Sequence, residues 1–358
     1  MLTFLHRQHL LEDNWSSDEI DLAIEYGVRS IDNAEAQKLL GYSPPSGGIW
    51  FPFTNGWGQL RPNSRQYPNG KESPKYCSPK GRIDSYALWI PNGFTIKDVA
   101  GVTEGWKDAF IATIRGGKPI GAIAGVTHVP RVLPKGLGIP LVFDADGWKN
   151  AQVMQALIKG GLHLNSKIAL IPEAAGDKAG FTEFFNAGYG QQDFDTLLTT
   201  AKSPRGLLIQ WLDYLHGAPL PKHCDTLSKL YRKLWKLAWF IDRDCPELNS
   251  RIETFCKAHS QKYGAKLLNP QIRTLRIQAL KPLWEQEKQQ HLAQRKVATK
   301  RVASTSWQVT NCFDDVITFT RKGKIELPPA GRLAALMEQD WGDRLKYRLD
   351  FSNFYTYP

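Results

Sequence analysis

No run in this 358-residue chain approaches the roughly 20 consecutive apolar residues of a membrane-spanning helix, so no membrane segment is expected. Cysteine is scarce. The five cysteines (Cys77, Cys224, Cys245, Cys256 and Cys312) are widely spaced and include no C-x-x-C pair. That excludes a compact zinc ribbon or a disulfide framework and predicts reduced thiols and no zinc. His223 beside Cys224, and Cys256 near His259, are the nearest approach to a metal-ligand pair. There is no G-x-x-x-x-G-K-[ST] loop, so no P-loop ATPase is encoded here. There is also no internal repeat. The opening residues, MLTFLHRQHLLEDNW, mix histidines and acids into the apolar positions, unlike a secretory leader, so a cytoplasmic location is expected.

What is present is charge, unevenly placed. The net charge is +11. Residues 1–200 hold 19 Lys and Arg against 20 Asp and Glu, a net of −1. Residues 201–300 hold 19 against 8, a net of +11, and residues 301–358 hold 8 against 7, a net of +1. The excess therefore sits in one segment, the pattern of a surface that meets phosphate rather than of general solubility.

Residues 1–42 read as short helices. Ser16 three residues before Glu19, and Asp32 before Glu35, are N-terminal capping patterns. Residues 48–95 read as strands and turns: GIWFPF and WGQLR flank the turn pair Asn55-Gly56, and YALWIP follows a polar stretch. From 97 to 175 the pattern is strand, helix, strand, strand, helix, strand, which predicts a mainly parallel sheet with helices on its faces. Residues 204–300 read as helical, with Leu227, Leu230, Leu234, Leu237 and Ile241 forming an apolar stripe and Pro282 marking a kink or boundary. VITFTRKGKIELPP suggests a hairpin and AGRLAALMEQDW a helix. The expected division is 1–95, 96–200, 201–305 and 306–358: an α/β (α+β overall) chain with a mixed N-terminal subdomain, a parallel-sheet domain, a basic helical domain and a small C-terminal α/β element.

Three acidic features fall after predicted strands. They are Glu104-Gly105 with Asp108 one turn on, Asp144-Ala145-Asp146, and Asp193-Phe194-Asp195. In open α/β sheets, functional groups collect at the carboxyl ends of strands. In an extended segment residues i and i+2 share a side, so each D-x-D can aim two carboxylates at one point. A lone D-x-D is ordinarily a solvated loop. Several acids crowded together repel unless a cation lies among them, and hard oxygen donors suit Mg²⁺ or Mn²⁺.

VTEGWKDAF resembles the first motif of the Toprim catalytic domain, and LVFDADGWKN resembles the second. The likeness extends toward the Toprim primases, in particular the Toprim-like domain of phage and plasmid primase-helicases of cyanobacterial mobile elements, and covers residues 1–200. It implies a Toprim-type parallel sheet flanked by helices. Carried onto matching positions, it implies Glu104 as general acid/base or metal ligand and Asp144 and Asp146 as Mg²⁺ (or Mn²⁺) ligands, with Asp108, Asp193 and Asp195 completing the acidic field. Gly105 and Gly125 would allow tight turns and close substrate approach. The stretch GIWFPFTNGWGQLR with PKYCSPKG is similar to the basic subdomain of the primase core, implying that Arg61, Lys75 and Lys80 face template or nucleotide phosphates. The chain departs from the family in lacking the amino-terminal zinc module and the helicase-type ATPase, which implies a helicase acting in trans or lost by truncation.

The expected activity is therefore a primase-like nucleotidyltransferase using NTPs on single-stranded DNA. The alternatives are a Toprim nuclease and a non-catalytic DNA-binding accessory protein. In the basic segment, Lys229, Arg232, Lys233 and Lys236 lie off the leucine stripe and are candidates for nucleic-acid contact, as is a second group at Arg295, Lys296, Lys300 and Arg301. Trp106 and Trp148, each two residues after a motif acid, are read as packing residues rather than base-stacking platforms.

Overall fold

Capping chemistry sets the first three helices. Thr3 accepts from the His6 amide and opens α1 (Phe4–Glu12). Ser16 and Glu19 form a reciprocal capping box at the start of α2 (Ser17–Glu25). Asp32 caps α3 (Asn33–Leu40) through the Glu35 amide. Between them runs a strand too short to read from pattern, β1 (Arg29–Ile31). It pairs antiparallel with β2 (Gly48–Pro52), which pairs antiparallel with β3 (Gly58–Pro62) across a turn at Thr54–Gly56, the hairpin expected at Asn55-Gly56. The structure is a computed structural model that describes residues 1–81, 87–243 and 245–304, with two short strands at 318–319 and 325–326.

The next segment follows the expected alternation. It contains β4 (Leu88–Trp89), β5 (Gly101–Glu104), α4 (Trp106–Gly116), β6 (Ile120–Ile123), α5 (Val129–Val132), β7 (Leu141–Phe143), α6 (Ala151–Leu164) and β8 (Ile168–Leu170). The sheet order is β4-β6-β5-β7-β8. The last four in that order are mutually parallel, and β4 is an antiparallel edge on β6. The chain is thus mixed α/β. The parallel strands are apolar along nearly their whole length because helices cover both faces: Val102, Ile120, Leu141, Val142 and Ile168 are fully buried. β5 and β7 are adjacent, with Val102 opposite Leu141, so their carboxyl ends open side by side.

Six helices follow: α7 (Phe181–Asn186), α8 (Gln191–Thr199), α9 (Pro204–Gly217), α10 (Leu227–Ile241), α11 (Pro246–Lys262) and α12 (Asn269–Ser304). Leu230, Leu234 and Leu237 of the stripe are buried, while Leu227 and Ile241 at its ends are half-buried. The helix α12 continues through Pro282 instead of ending there; Pro282 is exposed. Residues Met1–Leu283 form one compact unit and Trp284–Pro358 another. In the second, β9 (Thr318–Phe319) and β10 (Ile325–Glu326) pair antiparallel, which is the expected hairpin. The helix expected over 330–341, and the side chains of Arg295, Lys296, Lys300 and Arg301, lie outside the described residues. Among the described residues no helix is long and apolar enough to cross a membrane.

One ion pair ties the N-terminal helices to the parallel sheet. Arg115, in the last turn of α4, grips Glu19 with two nitrogens at 2.6 and 2.9 Å. It also donates to Asn14 O at 2.8 Å and Asn186 Oδ1 at 2.7 Å. Burial pushes the Glu19 carboxyl up, but Arg115 and the Ser16 cap outweigh it and hold it below the ordinary range. The Glu19 side chain is 10% exposed, so removing Arg115 leaves a carboxylate with little water. Arg115→Ala is therefore expected to destabilise the chain by about 2–4 kcal/mol in urea unfolding, and a loss below about 0.5 kcal/mol would show that the pair is dispensable.

Candidate active site

Glu104 is the last residue of β5 and Asp144 directly follows β7, so the two acids meet at neighbouring strand ends. Gly105, at φ 83°, turns the chain from β5 into α4, a conformation that a side chain would strain. One turn into α4, Asp108 points back toward the same opening. Asp146 is not on an extended strand, as the D-x-D pattern suggested, but on a tight turn at Ala145–Trp148; the apolar run stops at Phe143 and the chain bends at once. Asp108 is held from outside the motif: its Oδ1 accepts from the Thr182 amide at 2.9 Å and the Thr182 hydroxyl at 3.0 Å. Gly180 permits this approach, since a Cβ there would lie 2.7 Å from the Asp108 carboxylate.

The electrostatics of these acids are mutually unfavourable. Burial raises Glu104 from its ordinary 4.5 to about 7, helped by Asp146 and Asp108 and opposed by the Val126 N–H. Burial raises Asp144 well above the ordinary range, with Asp108, Glu104, Asp146 and Glu183 adding to it. Asp108 is raised by burial and by Glu183, against the pull of Thr182 and Lys107. Asp146 is raised by burial although Lys222 and Lys178 favour its charge. Asp144 Oδ1 is buried and has no hydrogen-bond partner. A buried carboxylate oxygen without a donor is costly unless something positive reaches it.

Among the described residues no three His, Cys, Asp or Glu side chains converge into a complete metal cage. Mg²⁺ does not require one: it typically keeps several waters and uses one or two carboxylates plus substrate phosphates. The orphaned Asp144 oxygen, the hard-oxygen donor set and the mutual repulsion of the acids fit such an ion, which Asp144 and Asp146 would hold.

The other expected residues stand on other elements. Asp193 and Asp195 stand on α8, not on an extended segment. Asp193 caps that helix through the Gly190 amide at 2.8 Å, and Asp195 pairs with Lys118 at 2.5 Å. Helical residues two apart point in different directions, so this pair does not aim two carboxylates at one point. Arg61 is not free for phosphate; it pairs with Asp13 at 2.5 Å, and Lys107 joins the same carboxylate at 2.9 Å. Lys75 and Lys80 are exposed, and Lys75 sits over the Tyr76 ring at 5.6 Å. Gly125 lies beside Glu104: a Cβ there would be 3.9 Å from Oε1. On α10, Lys229 pairs with Asp225 at 2.7 Å and Arg232 donates to Ser228 O, while Lys233 and Lys236 are half-buried. Trp106 is buried and stacked on Phe110 at 4.9 Å, and Trp148 packs on Tyr214 at 5.5 Å, so both serve packing.

Sequence reading missed Glu183, Thr182, Lys178, Lys222 and His128. Glu183 also caps α7 through the Gly180 amide, and GFTE is a capping pattern that was open to notice. His128 lies next to Gly125, its Nδ1 buried and unpaired. Lys222 reaches Asp146 only through the folded chain.

No known protein-family model matches the chain, and no curated protein matches its sequence. Among solved structures, the chain is similar to the RNA polymerase domain of the Mycobacterium tuberculosis primase DnaG, at 13% identity and a TM-score of 0.40, over 72% of this chain and 90% of that one.

Because Glu104 and Asp144 bind protons more tightly folded than unfolded, the stability they contribute is lost as pH rises, against an opposing gain from His6, His128 and His259, which burial lowers. For Glu104 the loss spans about 4.5 to 7 and is on the order of 3 kcal/mol at most when complete. Asp144→Asn removes one of the repelling charges. It is expected to raise the melting temperature in EDTA at pH 7.5 by several degrees and to have less effect at pH 5. Equal or lower stability at pH 7.5 would contradict the repulsion.

Proposed function

We propose that this chain is a Toprim-type, primase-like nucleotidyltransferase that makes primers on single-stranded DNA, serving replication of a plasmid or phage-like mobile element, with a separate helicase opening the template. The observation that carries this reading is the set of desolvated acids at the ends of β5 and β7, one of them, Asp144, with an unpaired buried oxygen. Its motifs, VTEGWKDAF and LVFDADGWKN, resemble those of Toprim enzymes.

The roles follow from the environments. Asp144 and Asp146 would hold Mg²⁺ or Mn²⁺, which when bound supplies Lewis acidity and offsets charge on phosphate oxygens. Glu104, balanced near neutrality, is suited to take the proton from an attacking 3′-hydroxyl. The 3′-oxygen then bonds to the α-phosphorus of an NTP. The bond from that phosphorus to the bridging oxygen breaks, and pyrophosphate leaves with the electron pair. Asp108, fixed by Thr182, adds negative potential that keeps Glu104 basic. Lys222 and Lys178, beside Asp146, offer positive charge to the phosphate chain.

Primer synthesis on single-stranded templates with NTPs and Mg²⁺ tests the reading. Glu104→Gln and Asp144→Asn are each expected to lose about 100-fold or more. Full activity in both would overturn the site assignment. Cleavage of labelled DNA by the wild-type protein without NTPs would replace nucleotidyl transfer with hydrolysis.

A further inference from the structure

The loop before α10 builds a cavity beyond the acids, and Lys222 is shared between the two. Residues Pro221 and Lys222 are clipped to the turn after Asp146: the Lys222 amide donates to Lys149 O at 2.7 Å, and the Ala151 amide donates to Lys222 O at 3.2 Å. His223 follows with φ 64°, a left-handed conformation uncommon outside glycine, and turns the chain into α10. The result is a cavity of about 450 Å³ lined by Gln152, Pro221, Lys222, His223, Cys224, Asp225 and Lys229. That volume lies within the range of small-molecule sites, about 300–1,000 Å³.

The lining carries two lysines against one aspartate. Lys222 is exposed and, among the described residues, its ammonium makes no hydrogen bond or ion pair; its charge acts on Asp146 and Asp177. Lys229 pairs with Asp225 at 2.7 Å, but both side chains are more than half exposed, so the pair is weak and open to competition. Gln152 opens α6 and Lys229 lies in the first turn of α10, so the field of both helix starts adds to the positive potential. Lys222 thus belongs both to this cavity and to the surroundings of Asp146.

We propose that this cavity binds the polyphosphate chain of a nucleoside triphosphate, with Lys222 and Lys229 as its cationic contacts. The proposal rests on the nucleotidyl-transfer reading and extends it: a phosphate chain anchored at one end near Asp146 passes Lys222 and enters the cavity. Two ammonium groups and a neutral amide within one cavity, with Asp225 the opposing charge, suit a short, highly charged chain.

The test uses the full chain in EDTA, so that no metal at the acids contributes, with inorganic tripolyphosphate as the probe in calorimetry. Saturable binding is expected. The double substitution Lys222→Ala with Lys229→Ala should weaken it by about tenfold or more, as expected for losing charged hydrogen bonds. Asp225→Asn frees Lys229 and should tighten binding by a few-fold; because this variant gains affinity, misfolding cannot mimic it. No binding, or a double variant that binds like wild type, overturns the proposal. So does displacement of the probe by a 5′-hydroxyl oligonucleotide as readily as by ATP, which would mark a backbone groove. Primer synthesis measured on the same preparations separates the two readings: active protein that does not bind tripolyphosphate refutes the cavity alone, and inactive protein that binds it refutes the enzyme reading alone.

Discussion

Buried acids that repel one another govern this structure. β5 and β7 are adjacent parallel strands, and each ends in a carboxylate. Asp108 approaches from α4, Asp146 from the turn after β7, and Glu183 from α7. Burial takes water from Glu104, Asp108, Asp144 and Asp146 and raises each of them, while the exposed Glu183 adds its charge to Asp108 and Asp144. The fold spends stability to hold them together, as sites built for charged ligands commonly do. Glu104 near 7 and the unpaired oxygen of Asp144 are two views of that same tension.

The rest of the chain braces this arrangement. Thr182 fixes Asp108, and Gly180 gives it room. The N-terminal segment docks through Arg115–Glu19 and through the shared Asp13 carboxylate, which joins Arg61 of β3 to Lys107 of α4. Aromatic contacts do the same on the apolar side: Phe51 of β2 and Trp89 of β4 both meet Trp106, at 5.6 and 5.1 Å. Cations resembling phosphate contacts in the sequence are therefore partly structural. Arg61 holds a subdomain in place, while Lys222 carries positive charge to Asp146.

Much of this could be read in advance where the signal was local. Continuous apolar runs ending in acids located Glu104 and Asp144, and Ser16, Asp32 and the Asn55-Gly56 pair marked elements that formed as expected. Failures came from ambiguity of period or from distance. Asp193-Phe194-Asp195 alternates like a strand, but Gly190 and Asp193 make a helix cap, and Phe194 is buried from a helix. β1 has three residues, too few for a pattern. Of the two alternatives at Pro282, kink or boundary, the boundary is excluded, because the helix continues past it. Lys222 and Thr182 join the site across 76 and 74 residues from Asp146 and Asp108, and only the folded chain shows such pairings.

On this reading the acids hold protons until a cation displaces them. Proton release on Mg²⁺ binding measures this directly, by calorimetry in buffers of different ionisation enthalpy. Release of about one proton per ion is expected at pH 6.5, falling as pH rises and Glu104 ionises unaided. Binding heats that do not depend on the buffer at pH 6.5 would mean the acids are already charged, and would contradict the account.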